Sequence, residues 1–272
     1  MISKTIMNAL AVMFSFIPPC TASDGITSVL SATGALPIIA PNTWIVIRGN
    51  GIVPATAPPD GVVWSSAPEF AQGRMPTEIG GVSVTVNDRP AFIYFYCSAA
   101  TIKVCTQDQI NVLTPLNFAT GPVEVRVTSR SGRFSLTVTM QSLSPGFFQF
   151  PGTPNVLAVH ADGRCVGPQS LFPCLSSPAE PNERIILYGN GFGDVVPPLT
   201  NGSATQNGTL PELPQIQIGG IPVTTQFAGL ISPGVFQFNV LVPATAPSGY
   251  LAVGALYRGT ITQSGIVVLV QP

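Results

Sequence analysis

The chain carries one stretch of sequence twice, and that repetition limits what it can fold into more than any local propensity does. Residues 41–51 read PNTWIVIRGNG and residues 181–191 read PNERIILYGNG, an offset of 140. VTVNDRPA at 84–91 answers IQIGGIPV at 216–223 at an offset of 132, and INVLTPL at 110–116 answers FNVLVPA at 238–244 at an offset of 128. Because the offset falls along the chain, the first copy holds about eight extra residues in an early loop and about four in a later one. Such self-similarity means one structural plan built twice. Each matched piece is a short alternating run closed by Gly, Asn, Asp or Pro, the pattern of half-buried strands ended by tight turns.

With 272 residues, each copy has enough chain to bury its own core. Only 8% of residues are charged and Lys4 and Lys103 are the only lysines, so no basic run exists to neutralise phosphates, and nucleic acid is excluded as a partner. Glycine (27) and proline (28) are abundant beside many β-branched residues, which marks a turn-rich β protein rather than a disordered one. Strands are expected at Trp44–Arg48, Val82–Val86, Ala91–Tyr96, Ile110–Leu113, Val123–Thr128 and Phe134–Met140. In the second copy they are expected at Arg184–Tyr188, Gln215–Ile218, Val223–Phe227, Val235–Val242, Tyr250–Tyr257 and Thr260–Val270.

Comparing the copies assigns faces. Ile45 and Ile47 match Ile185 and Leu187 and point inward, while Trp44, Val46 and Arg48 match Arg184, Ile186 and Tyr188 and point outward. Gly49-Asn50-Gly51 and Gly189-Asn190-Gly191 close the strand in a bend that a Cβ obstructs. Asn87-Asp88 and Gly219-Gly220 sit between two alternating runs and suit two-residue hairpin turns.

The first residues read as an export leader. Lys4 precedes a largely apolar stretch from Ile6 to Ile17, and Cys20-Thr21-Ala22 offers small residues for cleavage after Ala22 or Ser23. Twelve apolar residues fall short of the ~20 that span a bilayer, and the rest of the mature chain shows no transmembrane segment. Acylation of Cys20 fits poorly behind Pro18-Pro19. Export leaves Cys97, Cys105, Cys165 and Cys174, whose short separations favour the local disulfides Cys97–Cys105 and Cys165–Cys174. A zinc site is disfavoured because neither pair has the usual two-to-four-residue spacing.

The strand ending in Leu187-Tyr188-Gly189-Asn190-Gly191-Phe192-Gly193, the hairpin Ile218-Gly219-Gly220-Ile221-Pro222-Val223, Ala228-Gly229-Leu230 and the run Gln237-Phe238-Asn239-Val240-Leu241-Val242-Pro243 resemble the IPT/TIG immunoglobulin-like modules. With VLAVHADG at 156–163, the second copy resembles the C-terminal modules of a large paralogous family of exported soil-bacterial proteins. The resemblance covers about 155 to 272, and the first copy is a degenerate version with Asn87-Asp88 in place of the glycine pair. It implies an all-β fold of two tandem immunoglobulin-like sandwiches after a cleaved signal peptide, and it brings no catalytic residues. The organisation expected is a leader over 1–22, a first domain over 23–150, an ordered apolar connector over 151–180, entered by Phe147, Phe148 and Phe150, and a second domain over 181–272.

Chemistry is sparse. His160 is the only histidine and lacks a G-x-S-x-G elbow, so a hydrogen-bonded strand-end role outweighs a general base. Asp162-Gly163 and Asp194 offer one carboxylate each where calcium needs several. The sequon-like Asn201 and Asn207 lie in a loop of flexible composition, 200–209. Aromatics are the better lead. Trp44, Trp64, Tyr94 and Tyr96 are the candidate contact surface for sugar or protein, weighed against a face covered by the other domain. The function expected is an exported, non-enzymatic binding or spacer module for a protein or glycan outside the cytoplasm, with no cofactor and no metal. The alternatives are a carbohydrate-binding protein using the aromatics of the first domain and a hydrolase centred on His160.

Overall fold

Along Trp44–Asn50, Ile45 and Ile47 are fully buried while Trp44, Val46 and Arg48 are half-buried. Arg184–Asn190 repeats the pattern with Ile185 and Leu187 inside. Each strand is the hub of its own sheet. The computed structural model describes residues 24–34, 37–70, 73–101, 105–171 and 174–271; the expected leader and Cys20 lie outside the described residues. No helix among the described residues is long and apolar enough to cross a membrane.

In the first copy, Trp44–Asn50 lies between Gly25–Ser31 and Asp108–Leu113, followed by Phe92–Cys97 and Val62–Val63. The opposing sheet runs Ile38–Ile39, Gly132–Met140, Gly121–Ser129, Val82–Val86 and Glu78–Ile79. The two sheets enclose a core of Ile45, Ile47, Ile110, Val112, Val84 and Val125 with their neighbours. The second copy repeats the arrangement. Arg184–Asn190 pairs with Val235–Leu241, which pairs with Thr224–Ser232, while Gly249–Tyr257 sits between Gln215–Ile218 and Val267–Val270. Its core gathers Phe147, Phe192, Phe236, Phe238 and Tyr257. The protein is therefore two tandem β-sandwiches of immunoglobulin-like form.

The segment expected to connect the copies is built into the second one. Ala158–His160 pairs antiparallel with Arg184–Asn190, as Gly25–Ser31 pairs with Trp44–Asn50. Ala179 bridges Val270 in parallel, as Ile39 pairs with Met140. Residues 151–180 thus supply the opening strand of the second sandwich, and Ala179 follows Ile39 by 140 residues, the offset of the first repeated stretch. The apolar residues Val156, Ala158, Val166 and Ala179 of this segment are buried in the second core, while Leu175 is exposed. Two disulfides hold local loops, Cys97–Cys105 and Cys165–Cys174. The strand expected over Thr260–Val270 is broken into Thr260–Ile261 and Val267–Val270, with Gly265 at a φ of 81° between them.

The turn residues divide into two kinds. Asn87 and Asp88 take φ of 46° and 62°, and Gly219 and Gly220 take 61° and 77°, as two-residue hairpins of this hand require. In the GNG bends only Gly51 and Gly191 have positive φ, 62° and 78°. Gly49 and Gly189 are still in the strand, and glycine is required there by contact: a Cβ on Gly189 would stand 2.7 Å from the carbonyl oxygen of Gly146, and one on Gly49 would strike that of Gly25.

Candidate functional site

Trp44 begins its strand with the side chain on the outer face, where Leu113 and Phe92 also project. Trp64 opens a short helical turn, Trp64–Ser66, in the long first loop. Tyr94 projects from Phe92–Cys97 and is 41% exposed. The three rings meet edge to face, with centroids 5.8 Å apart for Trp44–Trp64, 5.6 Å for Trp44–Tyr94 and 5.1 Å for Trp64–Tyr94. Phe70 stacks behind Trp64 at 5.4 Å. Edge-to-face pairs of this kind contribute about 0.5–1.5 kcal/mol each beyond buried area, so the cluster is held as a unit.

Tyr96 leaves this set. Strict alternation puts Tyr94 and Tyr96 on one face, but the pairing with Asp108–Leu113 slips between Ile93 and Phe95. This bulge places one extra residue in the strand and inverts the alternation beyond it. Tyr96 is only 5% exposed and packs with Ile93 in the first core. Burial, and then the Glu69 carboxylate, push its phenol above the ordinary value.

The second sandwich covers part of the aromatic face. Trp44 Nε1 donates to the carbonyl oxygen of Pro233 at 2.6 Å. Gly234 lies against the indole so closely that a Cβ there would be 2.7 Å from Trp44 Cδ1 and 2.6 Å from Leu113 Cδ1. The loop read from composition as flexible is part of the same junction. Met75 N–H donates to Gly202 O at 2.9 Å, Ala204 N–H donates to Gly73 O at 2.8 Å, and Leu116 N–H donates to Asn201 Oδ1 at 3.1 Å. Trp44 is thus both an interface residue and a wall.

Between the sandwiches, besides a cleft of about 360 Å3 around Thr33, Ser144 and Gln263, one of about 320 Å3 stays open on this face. Trp44, Trp64, Tyr94 and Asn111 line it from the first copy, Phe148, Ser232 and Val235 from the second. Among the described residues no Asp, Glu, Lys, Arg or His lines it; its walls are aromatic and aliphatic, with the amide of Asn111 and the hydroxyl of Ser232 beside them. Asn111 matches Asn239 between the copies, and each accepts a hydrogen bond from the glutamine two residues before it, Gln109 at 2.9 Å and Gln237 at 2.8 Å; that Ser232 and Pro233 face the first sandwich is seen only once the two copies are docked.

His160 forms a separate cluster. Its Nδ1 is 2.5 Å from Glu183 Oε1, and its Nε2 is 3.1 Å from both the main-chain oxygen and Oγ of Ser177. Glu183 Oε2 also accepts the N–H of Glu180 at 2.9 Å. The connectivity is that of a Ser-His-Glu relay. Ser177, however, lies in a two-residue strand with its carbonyl accepting Gly167 N–H at 2.8 Å, not on the sharp strand-to-helix elbow that projects a nucleophile. The buried ring ties the strands Ala158–His160, Ser176–Ser177 and Arg184–Asn190 together where they begin and end. Among the described residues no group of three or more His, Cys, Asp or Glu could hold a metal ion.

No protein-family model matches the chain, and no curated protein matches it. Among solved structures, it is similar to SGBP-B of a mixed-linkage glucan utilization locus in Bacteroides ovatus, solved with a mixed-linkage heptasaccharide: 10% identity over 86% of this chain and 43% of that one, TM-score 0.34. It is also similar to SGBP-B from a complex xyloglucan utilization locus in Bacteroides uniformis, with 13% identity over 90% of this chain and 49% of that one, TM-score 0.23. A titin fragment matches at 12% identity over 93% of this chain and 98% of its own, TM-score 0.24. The chain spans less than half the length of the two bacterial proteins. The fold stands on the sheets themselves and not on these likenesses.

Proposed function

We propose that this chain works outside the cytoplasm as a non-enzymatic binding protein whose junction cleft takes a neutral glycan. The observation that carries the reading is the lining of the cleft: three mutually braced aromatic rings with amide and hydroxyl groups beside them, and no Asp, Glu, Lys, Arg or His. Sugar rings offer apolar C–H faces to aromatic planes and hydroxyls to groups such as Asn111 and Ser232. A charged ligand would find no counter-ion there. The leader-like residues 1–22 and the two disulfides support export. The motifs of the second copy support placing it with the IPT/TIG-type modules of exported soil-bacterial proteins.

The test is a fluorescence titration. Trp44 and Trp64 are the only tryptophans in the sequence, and both line the cleft, so a ligand entering it must alter the protein's emission. A panel of neutral β-linked gluco- and xylo-oligosaccharides is expected to contain at least one that does so saturably. Trp64→Ala should weaken that ligand at least tenfold, consistent with loss of one stacking platform. A panel without response, or a ligand bound equally well by Trp64→Ala, would overturn the glycan reading in favour of a spacer.

A further inference from the structure

We propose that Asn190 is the positioning residue that seats one sandwich on the other and thereby builds the cleft. This deepens the proposed binding site but rests only on how the cleft is constructed, whatever the ligand. Asn190 is fully buried at the end of Arg184–Asn190 in the second sandwich. Its Oδ1 accepts the main-chain N–H of Trp44 at 2.9 Å, and its Nδ2 donates to the main-chain oxygen of Trp44 at 2.9 Å and to Ser31 Oγ at 3.2 Å. Every one of these partners is on the first sandwich.

A carboxamide that engages both the N–H and the C=O of one residue does what a neighbouring strand would do. It fixes the height, direction and tilt of that residue's main chain. The residue fixed is Trp44, whose ring is the central wall of the cleft. Without the carboxamide, the Trp44 N–H would be left at the part-buried junction without this partner, which is costly. A second carboxamide works in parallel: Gln263 Oε1 accepts Phe147 N–H at 3.0 Å, while its Nε2 donates to Phe147 O and, at 3.3 Å, to Thr33 O of the first sandwich.

The role does not belong to the GNG bend as such. Asn50 holds the same place in the first copy, is half-exposed, and among the described residues its side chain meets Gln107 Nε2 at 3.5 Å rather than the other sandwich. Because Trp44, Trp64 and Tyr94 form one wall and Phe148, Ser232 and Val235 the other, the cleft exists only while the sandwiches are docked. Asn190 acts through Trp44 and is not itself among the residues lining the cleft.

The experiment uses the full chain and tryptophan emission with acrylamide as a neutral quencher, so it needs no identified ligand. Asn190→Ala should shift the emission to the red and raise the quenching constant, with the β-sheet circular dichroism retained. Asn190→Asp should behave likewise near neutral pH, where a carboxylate faces the Trp44 carbonyl. It should recover the wild-type emission in mild acid, because the protonated carboxyl regains a donor. Wild type is the control: Ser31 and the Trp44 main chain do not titrate, Gly25–Ser31 and Gly146–Phe147 carry no charged residue, and Arg48, Arg184, Asp108, His160 and Glu183 on or beside the paired strands are common to wild type and variant, so the acid recovery is read as the difference between the two. Gly234→Ala opens the junction from the opposite wall and should expose the indoles to the same quencher. If Gly234→Ala exposes them while Asn190→Ala does not, packing alone seats the sandwiches and the proposal fails. Absence of acid recovery in Asn190→Asp would also defeat it. Altered emission without any glycan response sinks the glycan reading and leaves the positioning role standing.

Discussion

Gly189→Ala separates two reasons for which a strand can require glycine. Gly189 lies in the strand Arg184–Asn190 outside the positive-φ region, yet a Cβ there would stand 2.7 Å from Gly146 O and 3.0 Å from Phe192 Cε2. The obstacle is main chain, and it cannot swing aside, because Gly146 and Phe147 pair with Asn190 and Gly189. The added methyl must push Gly146–Phe147 outward, and with it Phe147, which is fully buried 5.5 Å from Phe238 and 5.9 Å from Phe192. Overpacking costs about 1–3 kcal/mol, and partial withdrawal of Phe147 forfeits a share of the roughly 1.5–3 kcal/mol that burying it contributes. A loss of about 2–4 kcal/mol corresponds to a fall in melting temperature of about 10 °C for a domain of this size. Gly220→Ala is the control. Its φ of 77° is unfavourable, but nothing lies within 4 Å of the new Cβ, so only the backbone penalty of about 1–2 kcal/mol applies. Scanning calorimetry of both variants should show the larger loss at Gly189. Equal losses, or a larger one at Gly220, would refute the claim that close approach is what demands glycine in the bend.

Reducing Cys165–Cys174, or replacing both residues with serine, should lower stability by about 2–3 kcal/mol through the entropy of the freed loop, given the separation of 9 residues; an unchanged denaturation midpoint under reductant would contradict this. Burial raises the phenol pKa of Tyr96, Tyr188 and Tyr257 above the ordinary value. The folded state therefore favours the protonated phenol, so this stability is fully present below about pH 10 and lost as pH rises through the raised values. Urea midpoints should fall on the alkaline side, and normal phenolate titration at all three positions in the folded protein would count against it.

Local features were legible in sequence because strands announce themselves by alternation. Ile45, Ile47, Ile185 and Leu187 are inside, as comparison of the copies expects, and Asn87-Asp88 and Gly219-Gly220 are the hairpin turns. Pairing was less legible. Residues 151–180 read as a connector because their sequence no longer matches residues 24–40, although Ala158–His160 pairs as Gly25–Ser31 does. A hydrogen-bonded ladder depends on main chain and tolerates such divergence. The face of Tyr96 was misread because a bulge leaves no mark in composition. Of the candidate site, the three aromatics were visible as residues, but their common wall was not. It depends on Pro233, Gly234 and Asn190, whose roles appear only once the sandwiches touch.

The slip between Ile93 and Phe95 has a consequence for how such a cleft changes its contents over time. One surplus residue decides which tyrosine faces the cleft and which fills the core. Removing or moving it would exchange an outward for an inward side chain while leaving the sheet, the hub strand and the junction in place. A binding wall governed by a single-residue phase shift can be re-aimed in one genetic step, where remodelling a loop takes many.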